Sequence, residues 1–259
     1  MTHVALLSIR VEFSASIADS QWIYGAYAIT LAGVSEEDVN YEVFPGYFMM
    51  DVTATQAANL SSFQNRLTRA KDAVARSDFK TALVIHHDEA DGLCSGALTK
   101  STLETLGLET RLICLDKLYP EVVKEVESGP RRVIAYSDIG SGHVDWLSNY
   151  NKTKNLILTL DHHDTTDTGD PLVHNLNPEL DGFSGEKDAC SSTVAYLFAK
   201  TIDEASRTLA PLAIIGSIEI PGEAEGLNKI PLRDGIEAGR AHPAGKGLKL
   251  ELGPSSMAP

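Results

Sequence analysis

The stretch "VIHHDEADGLCSGAL", residues 84–98, crowds His86, His87, Asp88, Glu89 and Asp91 between an apolar run and a run of small residues. The run "TALVIH" leading into it is short and nearly continuous in apolar residues, as expected of a strand covered on both faces, and "SGALTKSTLETLG" behind it has helical spacing. A strand handing over to a helix at a point dense in acids and imidazoles is the usual make-up of the carboxyl edge of an open parallel α/β sheet, where ligand crevices form.

The same alternation continues outward with "TRLICL", "YPEVVKEVES", "RRVIAYS" and "NLILTL". It predicts an α/β fold in which a parallel sheet has crossover helices on both faces. Upstream, "SSFQNRLTRAKDAVARSDF" reads as an amphipathic helix with Phe63, Leu67, Ala70 and Val74 on one face. Residues 1–60 form an extension with strand-like content in "VALLSIRVEFS" and "EDVNYEVFPGYFMMDV" and no interpretable motif. Beyond Leu160 a loop leads to "ACSSTVAYLFAKTIDEA" and "TLAPLAIIGSI", which predict two packed helices. The division expected is therefore 1–60 as an extension of unknown role, 61–238 as the main domain, and 239–259 as a Gly/Pro-rich, loosely ordered tail.

With 259 residues, 43% of them hydrophobic, the chain can bury a substantial core. Its 22 Lys and Arg against 36 Asp and Glu give a formal charge of -14, so any affinity for polyanions must come from a local site or from bound cations. Cys94, Cys114 and Cys190 are widely spaced with no CxxC pair, which argues against a disulfide framework and a zinc knuckle and favours a reducing cytoplasm. The apolar stretch "WIYGAYAITLAGV" is too short to span a bilayer, so no membrane role is expected.

Three predicted strand ends carry the same chemistry: His86, His87, Glu89 and Asp91 after the first, Asp138 after "VIAYS", and Asp161, His162 and His163 after "LILTL". In a parallel sheet these ends converge on one rim. Crowded carboxylates raise one another's pKa and are costly to bury unless cations accompany them. Carboxylates and imidazoles without thiolate suit Mn²⁺ or Mg²⁺, with Zn²⁺ less favoured, and the donors exceed the needs of one octahedral ion that keeps waters. The plain alternatives are a helix N-cap for Asp138 and a solvated loop for residues 162–164; Asp88 and Asp164 are expected to face solvent.

The order of these motifs resembles the DHH phosphoesterase superfamily, in particular its RecJ-like branch, over roughly residues 80–230. "HDEADG" aligns His87, Glu89, Asp91 and Gly92 with the family's His-x-Asp-x-Asp-Gly, Asp138 in "YSDIGSG" matches the second motif, and Asp161, His162 and His163 form the third. The resemblance implies metal ligation by His87, Glu89, Asp91, Asp138, Asp161 and His162, with two Mn²⁺ ions favoured and Mg²⁺ the substitute. It also implies catalytic roles for Asp138, His162 and His163, the last against the scissile phosphate, and in-line attack of water at phosphorus. Lys187 and the helix start at Ser191 and Ser192 are the expected substrate-phosphate contacts.

Three departures from the family pattern stand out. Glu89 replaces the usual Asp, Ile220 in "GSIEI" stands where an Asp ligand is common, and the C-terminal substrate-binding domain of the DHHA1 type has no complete counterpart, "GRAHPAG" being a faint echo of its glycine-rich loop. The function implied is a metal-dependent phosphodiesterase or exonuclease acting on single-stranded nucleic acid, short oligonucleotides or a cyclic dinucleotide, with a protein partner in place of the missing domain. The alternative is a catalytically impaired scaffold in a replication or repair assembly.

Overall fold

The computed structural model describes residues 54–244 and 247–250; the strand-like stretches expected before residue 54 lie outside the described residues. The elements run α1 (Ala54–Arg76), β1 (Thr81–His87), α2 (Ala90–Thr105), β2 (Glu109–Leu115), α3 (Pro120–Glu127), β3 (Val133–Ser137), α4 (Val144–Tyr150), β4 (Leu156–Leu160), β5 (Val173–Asn175), α5 (Ser191–Ile202), α6 (Ala210–Gly216) and α7 (Lys229–Glu237). A hairpin of β6 (Ala241–Ala244) and β7 (Gly247–Leu250) follows. Among the described residues no helix is long and apolar enough to cross a membrane.

The main sheet has five strands in the order β2-β1-β3-β4-β5, every pair parallel. Its inner strands β1, β3 and β4 are buried on both faces, which is why they read as continuous apolar runs, whereas the edge strand β2 is buried only in part. Side chains alternate between two cores. Val84, Ala135 and Leu158 join Phe63 and Leu67 of α1, Leu98 of α2, Phe198 of α5 and Ile215 of α6 on one face. Ile85, Tyr136 and Ile157 meet Val123 of α3 and Leu147 of α4 on the other. Each such side chain taken fully out of water contributes roughly 1.5–3 kcal/mol, so the alternation pins the register of each strand.

That register positions the candidate site. His86 pairs with Ser137 across β1 and β3, and Ser137 pairs with Leu160 across β3 and β4. The next residues along those strands, His87, Asp138 and Asp161, are therefore level at one edge of the sheet. Gly92 makes the turn into α2 tight: a Cβ there would lie 2.4 Å from the carbonyl oxygen of His87, so only glycine lets the helix start directly on the strand end.

Three expectations need correction. The helix expected from residue 61 begins at Ala54, so the division between 60 and 61 falls inside α1, whose Asn59 donates to the Gly182 carbonyl at 3.4 Å. The segment 161–188 contains β5, only three residues long and too short for its periodicity to show in sequence. The tail from Gly239 carries the antiparallel hairpin, with Ala241 opposite Leu250 and Pro243 opposite Leu248. Both strands of a two-stranded ribbon are edges, where proline is tolerated, so the Gly/Pro content that suggested a loose tail does not forbid pairing.

Candidate metal centre

The edge assembles from the side chains upward, beginning with Asp138. Its backbone N–H still donates to the Leu160 carbonyl at 2.9 Å, as if β3 continued, and then the chain turns through a left-handed conformation at φ 61°. This throws the carboxylate back over the rim. It is not the helix cap that was the plain alternative, because the following 3-10 turn Ser141–His143 is preceded by Gly140. The Asp138 side chain is 2% exposed, and both oxygens are buried without a well-formed hydrogen bond.

Two imidazoles face the two oxygens separately. His87 Nδ1 lies 3.6 Å from Asp138 Oδ2, and His162 Nε2 lies 3.7 Å from Oδ1. In each ring the other nitrogen bonds a backbone carbonyl: His162 Nδ1 that of Gly185 at 2.6 Å, His87 Nε2 that of Asp116 at 3.0 Å. Carbonyls only accept, so those nitrogens carry the proton. In the neutral tautomers this sets, His162 Nε2 and His87 Nδ1 turn their lone pairs toward Asp138, the arrangement typical of metal-binding histidine. His162 Nε2 is buried with no partner.

Asp91 enters from the first turn of α2. Its Oδ2 accepts from the Ser191 N–H at 2.6 Å and its Oδ1 from the Ser192 N–H at 2.8 Å, so a residue 100 positions upstream caps α5. The two amides expected to cradle a substrate phosphate are thus taken by Asp91, and the Ser191 hydroxyl is buried beside Asp138. Lys187 stands exposed on the turn before α5, two residues beyond Gly185. Glu89 starts α2, 3.9 Å from His87 Nδ1, with its side chain 62% exposed.

Asp161 takes a different place from its neighbours. Its Oδ1 accepts from His163 Nδ1 at 2.7 Å and from the His162 N–H at 2.8 Å, while Oδ2 accepts from the Ser141 N–H at 2.9 Å. Burial would raise this carboxyl, but the His163 bond and charge, the Ser141 amide and His162 outweigh it and hold Asp161 well below the usual range. The structure thus uses Asp161 to orient both histidines. His163 is raised by its bond to Asp161 and exposes 55% of its side chain at the rim.

Glu219 completes the group from the 3-10 turn after α6 (Ser217–Glu219). Ligand atoms of Asp91, Asp138 and Glu219 lie within 4.8 Å of one another, as do those of Asp138, His162 and His163. Asp138 belongs to both groups. Ile220 stands where the resemblance expects an acid, and the 3-10 turn Ser217–Glu219 brings the adjacent Glu219 to the cluster. The acid adjacent to Ile220 was the sequence signal; the turn that aims it was not legible.

Burial, then the charges of Asp91 and Asp161, push Asp138 up to about 10, and Glu219 is raised by burial and by Asp91 and Glu89. Carboxylates whose charge is opposed by burial and by one another, beside imidazole nitrogens, are the donor set a divalent cation would satisfy. The thiols of Cys94 and Cys190 are pushed upward by burial and stay neutral, so the donors are oxygen and nitrogen, the choice of a hard or borderline ion.

Known proteins share parts of this chain's sequence and fold. The chain is 28% identical over 165 residues to an uncharacterized protein of Methanocaldococcus jannaschii, covering 60% of this chain and 36% of that protein. A crystal structure of exonuclease RecJ bound to manganese superposes with a TM-score of 0.50 at 20% identity, covering 73% of this chain and 48% of that one. The RecJ of Thermus thermophilus in complex with Mn²⁺ gives 0.48 at 19% identity, covering 86% of this chain and 33% of that one. The chain thus spans about a third to a half of the length of these proteins. Residues 81–217, the segment that carries Asp91, Asp138, Asp161 and His162, match the model of the DHH family, N-terminal domain, and the chain belongs to that family.

Proposed function

We propose that this protein is a divalent-metal-dependent phosphoesterase that cleaves phosphodiester bonds in single-stranded or short oligonucleotides. The observation that carries the reading is Asp138, a buried carboxylate with no well-formed hydrogen bond that faces His87 through one oxygen and His162 through the other. Asp91, Asp138, Glu219 and His162 would hold the ions, with His87 and Glu89 beside them. Mn²⁺ is the ion we favour and Mg²⁺ the substitute. When bound, such ions supply charge stabilisation for the phosphoryl group and lower the pKa of water.

The chain's own residues do the rest. His162 is locked in one tautomer by the Gly185 carbonyl. Asp161 favours the imidazolium of His163, whose exposed ring can donate to a phosphate oxygen as negative charge develops there. Lys187 remains a proposed contact to the substrate backbone, whereas the Ser191 and Ser192 amides act through Asp91. The net charge of -14 supports short substrates over long, tightly held strands.

The scaffold reading draws on one observation, the outward Glu89. The test is incubation of the full chain with Mn²⁺ and an end-labelled short oligonucleotide, beside Asp138→Ala and His162→Ala. Cleavage by the wild type alone supports the phosphoesterase; equal background in all three supports the scaffold.

A further inference from the structure

We infer that Asn177, just beyond the end of β5, is a positioning residue that holds His163 from the backbone side. Asn177 is completely buried. Its Nδ2 donates to the His163 carbonyl at 2.6 Å and to the Ser141 hydroxyl at 3.1 Å, and its Oδ1 accepts from the Glu179 N–H at 2.9 Å. The partners fix which way the amide points: the atom against a carbonyl must be the nitrogen, and the atom against a backbone N–H must be the oxygen.

The bonds close into a loop over the sheet edge. Ser141 donates its N–H to Asp161 and its hydroxyl to the His163 carbonyl at 3.3 Å, and Asp161 accepts the His163 ring proton. His163 is thereby gripped at the ring by Asp161 and at the main chain by Asn177, with Ser141 joining the two. Asn175 supports the next stretch, donating to the Thr165 hydroxyl at 2.8 Å and the Thr166 carbonyl at 2.9 Å while accepting from Thr159 at 2.7 Å. Both amide side chains of "NLN" therefore tie the loop that follows β4 to β5. An exposed imidazole that must meet a phosphate has few contacts of its own, so its aim depends on this main-chain anchor, and small displacements of such a group are costly in rate.

The two halves of the amide separate a positioning role from a structural one. Asn177→Asp keeps the acceptor that caps Glu179 and removes both donors, leaving an oxygen against the His163 carbonyl. The experiment uses the full chain and three readouts: thermal unfolding, imidazole resonances in the metal-free protein, and kcat and KM on a labelled short oligonucleotide with Mn²⁺. The kinetic arm rests on the phosphoesterase reading; the resonances do not.

For Asn177→Asp we expect a lower melting temperature in a protein that still folds at about 25 °C, a displaced His163 resonance, and kcat at least about tenfold lower at a KM changed by less than about twofold. Should that variant fail to fold, Asn177→Ser, which keeps a capping oxygen but is too short to reach His163, carries the same expectation. Unchanged His163 resonances in the folded variant overturn the inference, as does an unchanged kcat. If the wild type cleaves nothing, the phosphoesterase reading fails, and the resonances alone decide the role of Asn177.

Discussion

The Asp91 carboxylate accepts the N–H groups of Ser191 and Ser192 at the start of α5, and one of its oxygens lies within 4.8 Å of a Glu219 carboxylate oxygen. The N-terminus of α5 thus receives a carboxylate of the cluster. Helix N-termini stabilise negative charge, which offsets part of the repulsion among these acids before any cation arrives.

Glu219→Gln therefore tests whether this acid serves in place of the aspartate that Ile220 lacks. Manganese binding followed by calorimetry should weaken by about 10- to 100-fold, the scale known for losing a group that supports a metal site. Ile220→Asp in the Glu219→Gln background should recover little, because the 3-10 turn aims residue 219 at Asp91 and Asp138. Full recovery by that change would show that position 220 faces the cluster instead.

Asp138 gives a prediction of opposite sign for stability and binding. Its left-handed φ of 61° suits asparagine but not alanine, and its charge is opposed by burial and by Asp91 and Asp161. In the metal-free protein at about pH 8, Asp138→Asn should melt no lower than wild type. Asp138→Ala should lose about 1 kcal/mol more than the asparagine variant through backbone strain, read from denaturant curves. Neither variant should bind manganese at wild-type strength.

Gly216 ends α6 against the same cluster. A Cβ there would lie 2.0 Å from the Ser192 hydroxyl and 2.6 Å from Asp91 Oδ1. Gly216→Ala should cost about 1–3 kcal/mol, the range for overpacking a tight contact, and should weaken metal binding by displacing Asp91. A melt and a titration unchanged from wild type would mean that α6 moves away without strain.

Away from the centre, Glu127 at the end of α3 is fully buried, with Oε1 accepting from the Tyr136 hydroxyl at 3.3 Å and Oε2 without a partner. Burial, offset in part by the tyrosine, raises it from 4.5 to about 8. The folded state therefore keeps a proton that the unfolded chain releases between these values, so the contribution of Glu127 to stability falls as pH rises through that window. It levels off above about 8. The slope is at most roughly 1.4 kcal/mol per pH unit. Glu127→Gln should flatten this part of the profile and melt higher than wild type at about pH 8; equal slopes in the two proteins would refute the assignment.

What the sequence revealed and what it hid follow from the range of the interactions. The apolar runs of β1, β3 and β4 and the acids at their ends are local patterns, and they brought His87, Asp138 and His162 to one rim without reference to coordinates. The use of Asp91 as the cap of α5 joins residues 100 positions apart and leaves no local mark. The resemblance implies that Asp161 is a ligand, and the sequence does not show that the amides of Ser141, His162 and His163 and the His163 ring all donate to its oxygens. Glu219 was visible as the acid beside Ile220, but the 3-10 turn that brings it to the cluster was not, and Asn177 was hidden by a strand of three residues.

The central proposal is that Asp138 would hold divalent cations together with groups from three strand ends and the turn after α6. Its most direct test is manganese stoichiometry by calorimetry and electron paramagnetic resonance on the metal-stripped full chain, wild type beside Asp138→Asn and His162→Ala. The account predicts two tightly bound ions in the wild type, exchange-coupled through their shared ligand, and loss of both the coupling and tight binding in Asp138→Asn. Equal binding by all three proteins would contradict it.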